Sequence, residues 1–197
     1  MSPKRIARIQ RRTAETDIDL EFGLDGEGEY RIETGIGFFD HMLAAFARHG
    51  LFSLNLTCEG DLEVDAHHTV EDVGLGLGQA VDQALGDRIG LRRFGFSYVP
   101  MDEALARVVV DLSGRPYLVI EAPFCQFQVG NFPVVLVDEF FRAVANQGRL
   151  NLHIDLLRGS NDHHSIEAIF KSFGQALGQA AQLSERIQGV LSTKGSL

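Results

Sequence analysis

Asp65-Ala66-His67-His68-Thr69-Val70-Glu71 returns, 96 residues later, as Asn161-Asp162-His163-His164-Ser165-Ile166-Glu167. Four of the chain's seven histidines lie in these two stretches. On a helix, His67 and Glu71 are i, i+4 neighbours, as are His163 and Glu167, so imidazole and carboxylate share one face. His68 and His164 point about 100° away from that face, as adjacent helix residues must. Imidazole with carboxylate is a ligand set for a borderline divalent cation.

The repeat extends outward from this motif. At the same offset, Gly78-Gln79-Ala80 returns as Gly174-Gln175-Ala176, and Leu54-Asn55-Leu56 as Leu150-Asn151-Leu152. Upstream the offset is 98, and Asp40 to Gly50 lies over Asp138 to Gly148. A short length difference after Gly50 and Gly148 reconciles the two offsets. The chain therefore reads as one domain, 1–197, built from two related halves, about 10–92 and about 93–191. The twin of His41 is Glu139, a further candidate ligand. The twin of His153 is Thr57, which sets His153 outside any symmetric pair of sites.

Hydrophobic periodicity gives both halves the same order of elements. Ile18, Leu20, Phe22 and Leu24 alternate with polar residues and predict a half-buried strand. Asp25 to Gly28 reads as a turn and Glu29 to Glu33 as the returning strand. The second half matches with a strand from Ala106 to Leu112, a turn from Ser113 to Pro116 and a strand from Tyr117 to Glu121. Short helices are expected over Phe38–Arg48 and Val137–Asn146, and strands over Leu54–Thr57 and Leu150–Asp155. A longer helix then starts near each His-His pair. Val70, Val73, Leu77, Val81 and Leu85 form the apolar stripe of the first, and Ile166, Ile169, Phe173, Leu177 and Ala180 that of the second. Each half is strand, strand, helix, strand, helix. The expected class is α+β, with four helices sandwiched between two β-sheets.

Composition narrows the function. The net charge of −9 argues against a nucleic-acid partner but leaves room for local basic clusters that bind phosphate. Two cysteines, Cys58 and Cys125, make no disulfide framework and suggest a reducing, cytoplasmic compartment. The segment Met1 to Arg12 is basic without an apolar core, unlike a secretory signal. No apolar run is long enough to span a membrane.

One His-His pair cannot easily put both imidazoles on one ion. The arrangement suits two ions, each taking His and Glu from one long helix and the second His from the other. Pseudo-symmetry gives two candidate sets: His41, His67, Glu71 and His164, and then Glu139, His163, Glu167 and His68. The helices could cross within one subunit or between subunits. Four nitrogen and oxygen ligands suit octahedral Mn²⁺ or Fe²⁺ with two open positions better than a closed structural Zn²⁺ site. The spacing is not that of a His-Glu-x-x-His protease. A di-metal hydrolase or a metal-storage shell could use the same ligands, although storage needs no basic residues beside the ions.

Gly37-Phe38-Phe39-Asp40-His41-Met42-Leu43, Asp65 to Asp72, Asn161 to Ala168 with Phe170-Lys171, and Ser192-Thr193-Lys194-Gly195 together resemble the imidazoleglycerol-phosphate dehydratase family, in its monofunctional form, along nearly the whole chain. The resemblance implies a hydro-lyase of histidine biosynthesis that converts imidazoleglycerol phosphate to imidazole acetol phosphate. It implies two Mn²⁺ ions per active site, held between subunits of a twenty-four-subunit shell, that stabilise an imidazolate intermediate. Hydroxide would then leave through a diazafulvene-like species, and the proton removed is assigned to the carbon attached to the ring. The metal ligands implied are His41, His67, His68, Glu71, Glu139, His163, His164 and Glu167. Glu15 matches a substrate-contacting residue with an acid/base or hydroxyl-binding role, and Glu167 shares the catalytic assignment. Arg93, Arg115, Lys171, Ser192 and Lys194 match phosphate-binding residues. Asp102 and His49 match positions near the pocket. Glu139 stands where many relatives carry His, and Ala45 where they often carry Gln.

Overall fold

The computed structural model describes residues 5–197; the first four residues of the basic N-terminal segment lie outside them. Fourteen elements follow in order: β1 (Ile6–Arg12), β2 (Thr16–Gly23), β3 (Tyr30–Glu33), α1 (Gly37–Gly50), β4 (Ser53–Gly60), α2 (His67–Leu85), β5 (Phe94–Met101), β6 (Ala104–Asp111), β7 (Tyr117–Glu121), β8 (Gln128–Val129), β9 (Phe132–Pro133), α3 (Leu136–Gly148), β10 (Asn151–Arg158) and α4 (Asp162–Ala180). Two four-stranded sheets, ordered β1-β2-β4-β3 and β5-β6-β10-β7, carry the duplication, and four helices fill the space between them. No helix among the described residues is long and apolar enough to cross a membrane.

Four strands, and one pairing in each half, differ from the sequence expectation. The turn at Asp25–Gly28 does not return β3 against β2. Instead β4 lies between them, antiparallel to β2 with Leu20 opposite Leu56, and β3 runs parallel to β4 on the edge. The inward side chains explain it. Ile18, Leu20 and Phe22 on β2 and Leu54, Leu56 and Cys58 on β4 are all buried, whereas β3 has four residues and none fully buried, which suits an edge. A Cβ on Gly26 would lie 2.3 Å from the Ser53 nitrogen, because the chain crosses the start of β4 there. The second half repeats this, with β10 between β6 and β7.

The strands that open each half, β1 and β5, are additional to the expected order. On β5 the usual pattern is inverted. Gly95, Ser97 and Val99 face inward while Phe94, Phe96 and Tyr98 are exposed. Small residues are required inside because α4 presses on this strand. A Cβ on Gly95 would meet the Ala176 carbonyl oxygen at 1.9 Å, and Ser172 donates to the Ser97 carbonyl at 2.9 Å.

The helices exchange partners between halves. The long helix α2 lies on β1 and β2 but packs against α3, and α4 lies on β5 and β6 but packs against α1. Twin glycines permit both crossings. A Cβ on Gly78 would come within 2.7 Å of the Val144 oxygen and 2.9 Å of the Gly148 nitrogen; one on Gly174 would come within 2.4 Å of the Phe46 oxygen and 3.0 Å of the Gly50 nitrogen. All ten residues of the two expected apolar stripes are buried. This exchange of partners decides which ligands meet.

Candidate metal centre

Each long helix starts in the same way. Asp65 accepts from the His67 N–H at 2.7 Å, and its twin Asn161 accepts from the His163 N–H at 3.0 Å, so a side chain satisfies an orphan donor of each first turn. The next residue but one is a hydroxyl, Thr69 or Ser165, fully buried and without a hydrogen-bond partner. Each lies against a glycine at the end of the preceding strand. A Cβ would sit 2.0 Å from Thr69 Oγ1 on Gly60 and 2.3 Å from Ser165 Oγ on Gly159. These contacts seat each His-His pair at one end of the helix layer.

Because α1 packs on α4, His41 joins His163 and Glu167. The ligand atoms of these three residues all lie within 4.8 Å of one another. Glu167 Oε2 is 3.5 Å from His41 Nε2 and 3.4 Å from His163 Nε2. This corrects the expected grouping, which placed His41 with His67 and Glu71. The reason is the helix exchange: the short helix of each half serves the long helix of the other. His67 Nε2 lies 3.7 Å from Glu71 Oε2, on the helix against which α3, the helix of Glu139, packs.

Glu167 is 9% exposed and its other oxygen receives the Lys171 ammonium at 2.7 Å. Burial alone would raise its pKa, but Lys171 and then the two imidazoles hold the carboxyl below its usual range. Lys171 therefore stands beside the candidate ligand group, and it does not line the cleft of the other expected phosphate ligands. His49, near the end of α1, has its pKa lowered by burial and then by Lys171, which puts it in the same electrostatic neighbourhood.

His68 and His164 turn elsewhere. Their rings stand 6.2 Å from those of His67 and His163 and nearly perpendicular to them. His68 Nδ1 bonds Asp61 at 3.0 Å, and its Nε2 faces Glu15 Oε1 at 3.7 Å. His164 Nδ1 bonds Glu103 at 2.9 Å, with Asp102 at 3.9 Å. The carboxylate bond, first of all causes, raises both histidine pKa values. Glu15 and Asp102 occupy corresponding turns, β1–β2 and β5–β6.

A cleft lined by Arg93, Arg115, Ser192 and Lys194 lies where the C-terminal segment crosses the second half. Arg93 is partly committed there: it donates to Asp111 at 2.7 and 3.1 Å and to the Leu191 carbonyl at 2.6 Å, and so holds that segment in place. His153 is exposed on the outer face of the second sheet beside Phe96, Tyr98 and Arg107, away from the candidate ligand group.

Three residues to which the motifs assign no role support the candidate ligands. Phe38 sets its ring edge to His163 at 5.1 Å and rests on Phe132 at 5.4 Å. Phe132 comes from β9, in a hairpin between β7 and α3 that the first half lacks. Buried Asp162 ties that hairpin to α4 by accepting from the Cys125 and Gln126 N–H groups at 2.9 and 2.6 Å. The signal available in sequence was the long interval between Glu121 and Leu136, against only Thr34 to Ile36 in the first half.

The donor chemistry fits a divalent cation of the Mn²⁺ or Fe²⁺ type: imidazole nitrogens and a carboxylate oxygen already converge, with a cation behind the carboxylate to keep it ionised. Comparisons with known proteins give the family. Residues 34–177 match the family model described as imidazoleglycerol-phosphate dehydratase. A protein of that name from Acetivibrio thermocellus is 58% identical over 189 residues, covering 96% of this chain and 97% of the relative. One from Caldanaerobacter subterraneus subsp. tengcongensis is 57% identical over 193 residues, covering 98% of this chain and all of the relative. The crystal structure of the Staphylococcus aureus imidazoleglycerol-phosphate dehydratase superposes with a TM-score of 0.83 at 45% identity, covering 91% of this chain and 99% of that one.

Proposed function

The chain belongs to the imidazoleglycerol-phosphate dehydratase family of hydro-lyases, and on that premise we propose that it removes water from imidazoleglycerol phosphate to give imidazole acetol phosphate, in the histidine pathway of the cytoplasm, at two Mn²⁺ sites completed between copies of the chain. The observation that carries this is the convergence of His41, His163 and Glu167, backed by Lys171. One site takes these three ligands, with His68 from a second copy. The other takes His67, Glu71 and Glu139, with His164 from a second copy. Since each outward histidine would serve another subunit, the chain would assemble as a closed homo-oligomer, for which the family resemblance implies twenty-four copies.

When bound, the two cations act as Lewis acids toward the imidazole ring of the substrate and make it an electron sink. The remaining work falls to the side chains. Arg115, Ser192 and Lys194 hold the phosphate, and Arg93 lines and anchors their cleft. Lys171 keeps Glu167 anionic. Glu15, whose Oε1 stands beside His68 Nε2, is placed to accept a substrate hydroxyl or exchange a proton with it. Atom balance corrects one expectation. The product carries a methylene next to the ring and a ketone beyond it, so the hydroxyl lost is on the ring-attached carbon and the proton is lost from its neighbour.

The test is an assay for imidazole acetol phosphate with chelated protein. Turnover is expected to return when Mn²⁺ is added. Protein with verified Mn²⁺ occupancy that forms no product would overturn the reading.

A further inference from the structure

His68 and His164 are twins, yet the groups that hold them are not. We infer that Asp61 and Glu103 are positioning residues: each fixes Nδ1 of an outward histidine so that Nε2 is presented to a cation shared with a second copy of the chain. The inference rests on the cation sites proposed above and adds the residues that aim their completing ligand.

Asp61 oxygens lie 3.0 and 3.1 Å from His68 Nδ1, and Glu103 Oε2 lies 2.9 Å from His164 Nδ1. An ionised carboxylate only accepts, so the hydrogen sits on Nδ1 and Nε2 can offer its lone pair once the ring is neutral. Such a partner fixes the tautomer and the ring angle and makes the free nitrogen more basic. The two carboxylates come from unrelated places. Asp61 follows β4 on the approach to α2, whereas Glu103 sits in the turn between β5 and β6. At the offset of the repeat, the twin of Asp61 is Leu157, and the turn corresponding to that of Glu103 carries Glu15. Inherited scaffolding would put the carboxylates at twin positions. Separate sources reaching the same ring atom place the requirement at the ring. His67 and His163 differ: each turns Nε2 toward a carboxylate of its own helix.

Asp61 gives the cleaner test, because Glu103 also accepts from the Ser160 and Asn161 N–H groups and caps the start of α4. The full-length chain is stripped of metal and titrated calorimetrically with Mn²⁺, and thermal melting of the metal-free protein is recorded. Asp61→Ala is expected to lower the affinity of one class of site about 10- to 100-fold, while lowering metal-free melting no more than His68→Ala does. Asp61→Asn should recover most of that loss, since its carbonyl oxygen still accepts from Nδ1. In the His68→Ala background, Asp61→Ala should add nothing. Wild-type affinity in Asp61→Ala, with a loss in His68→Ala, overturns this inference and leaves the cation sites standing. Additive losses in the double variant also overturn it, because the effect then does not pass through the ring. Wild-type affinity in His68→Ala removes His68 as a ligand and overturns both.

Discussion

His41 and Glu139 occupy twin positions on α1 and α3, but the halves around them have diverged. At the first, His163 and Glu167 already stand within 3.5 Å of each other and of His41 through one carboxylate oxygen, and Lys171 backs the other oxygen. At the second, Glu71 is 44% exposed and 3.7 Å from His67, and the twin of Lys171 is Leu75, which brings no charge. Among the described residues, only the first forms a group of three candidate ligands. Duplication kept the backbone, the helix caps and the glycine crossings, while the electrostatic surroundings of the carboxylate changed. The first half-site is preorganised. The second is not, and on the proposed function it would rely on a cation and a neighbouring copy to draw its ligands together.

Removing the metal tests the comparison most severely. Chelation should abolish turnover and shrink the particle, because both sites lose what joins them to a second copy. Scattering and activity measured on the same sample check this. An unchanged particle after verified metal removal would count against metal-dependent assembly, and a structure with every ligand of both ions from one chain would refute the shared sites.

The next effect separates the two carboxylates. Glu167→Gln should lower metal content and turnover together, since a neutral amide is a weaker ligand for a divalent ion than a carboxylate. It should also destabilise the metal-free chain by about 1–3 kcal/mol, because Lys171, 17% exposed, loses its partner. Glu71→Gln should likewise lower metal content and turnover but leave metal-free stability within about 0.5 kcal/mol of the parent, as for an exposed residue. Equal destabilisation by the two variants in a denaturant titration would erase the distinction drawn here.

Much of this was legible in the sequence. The repeat showed both long helices, their buried stripes and the ligand types, because helical spacing is local and a duplicated motif is improbable by chance. The grouping of ligands was not legible. His41 and Glu139 had to be assigned to long helices, and only the crossings at Gly78–Gly148 and Gly50–Gly174 show that each short helix serves the other half. The strand order escaped for a similar reason. β3 and β7 lie next to β2 and β6 in sequence, but they are short and incompletely buried, and the better-packed β4 and β10 displaced them from hairpin pairing. β5 hid because α4 demands small residues on its inner face and leaves the aromatics outside.

A further effect probes the cleft of the second half. Lys194→Ala should leave metal content intact and weaken phosphorylated substrate by about 1.5–3 kcal/mol, the worth of a charge-assisted hydrogen bond. A dephosphorylated imidazole ligand should lose much less, because it can still reach the metals. Isothermal titration with the two ligands measures the difference. Equal weakening of both would leave the C-terminal segment with a structural role alone.

The smallest expected change would make the halves more alike. Glu139→His restores on α3 the imidazole that α1 carries at His41. On the proposed function Glu139 joins Glu71, so that site would gather two carboxylates where its twin gathers one. The substitution removes a like-charge repulsion and supplies a nitrogen donor, but it also gives up one negative charge that attracts the cation. These terms oppose each other, so the net change in Mn²⁺ affinity should be an increase of only about two- to fivefold, under roughly 1 kcal/mol. A softer ion reads the same change more strongly, because imidazole favours Zn²⁺ over Mn²⁺ relative to carboxylate. Competition titrations should therefore show the Zn²⁺/Mn²⁺ preference of the second site rising toward that of the first, with the His41 site unmoved. A variant whose two sites keep their original preferences would show that Glu139 is not a ligand, and that the second site finds its third donor elsewhere.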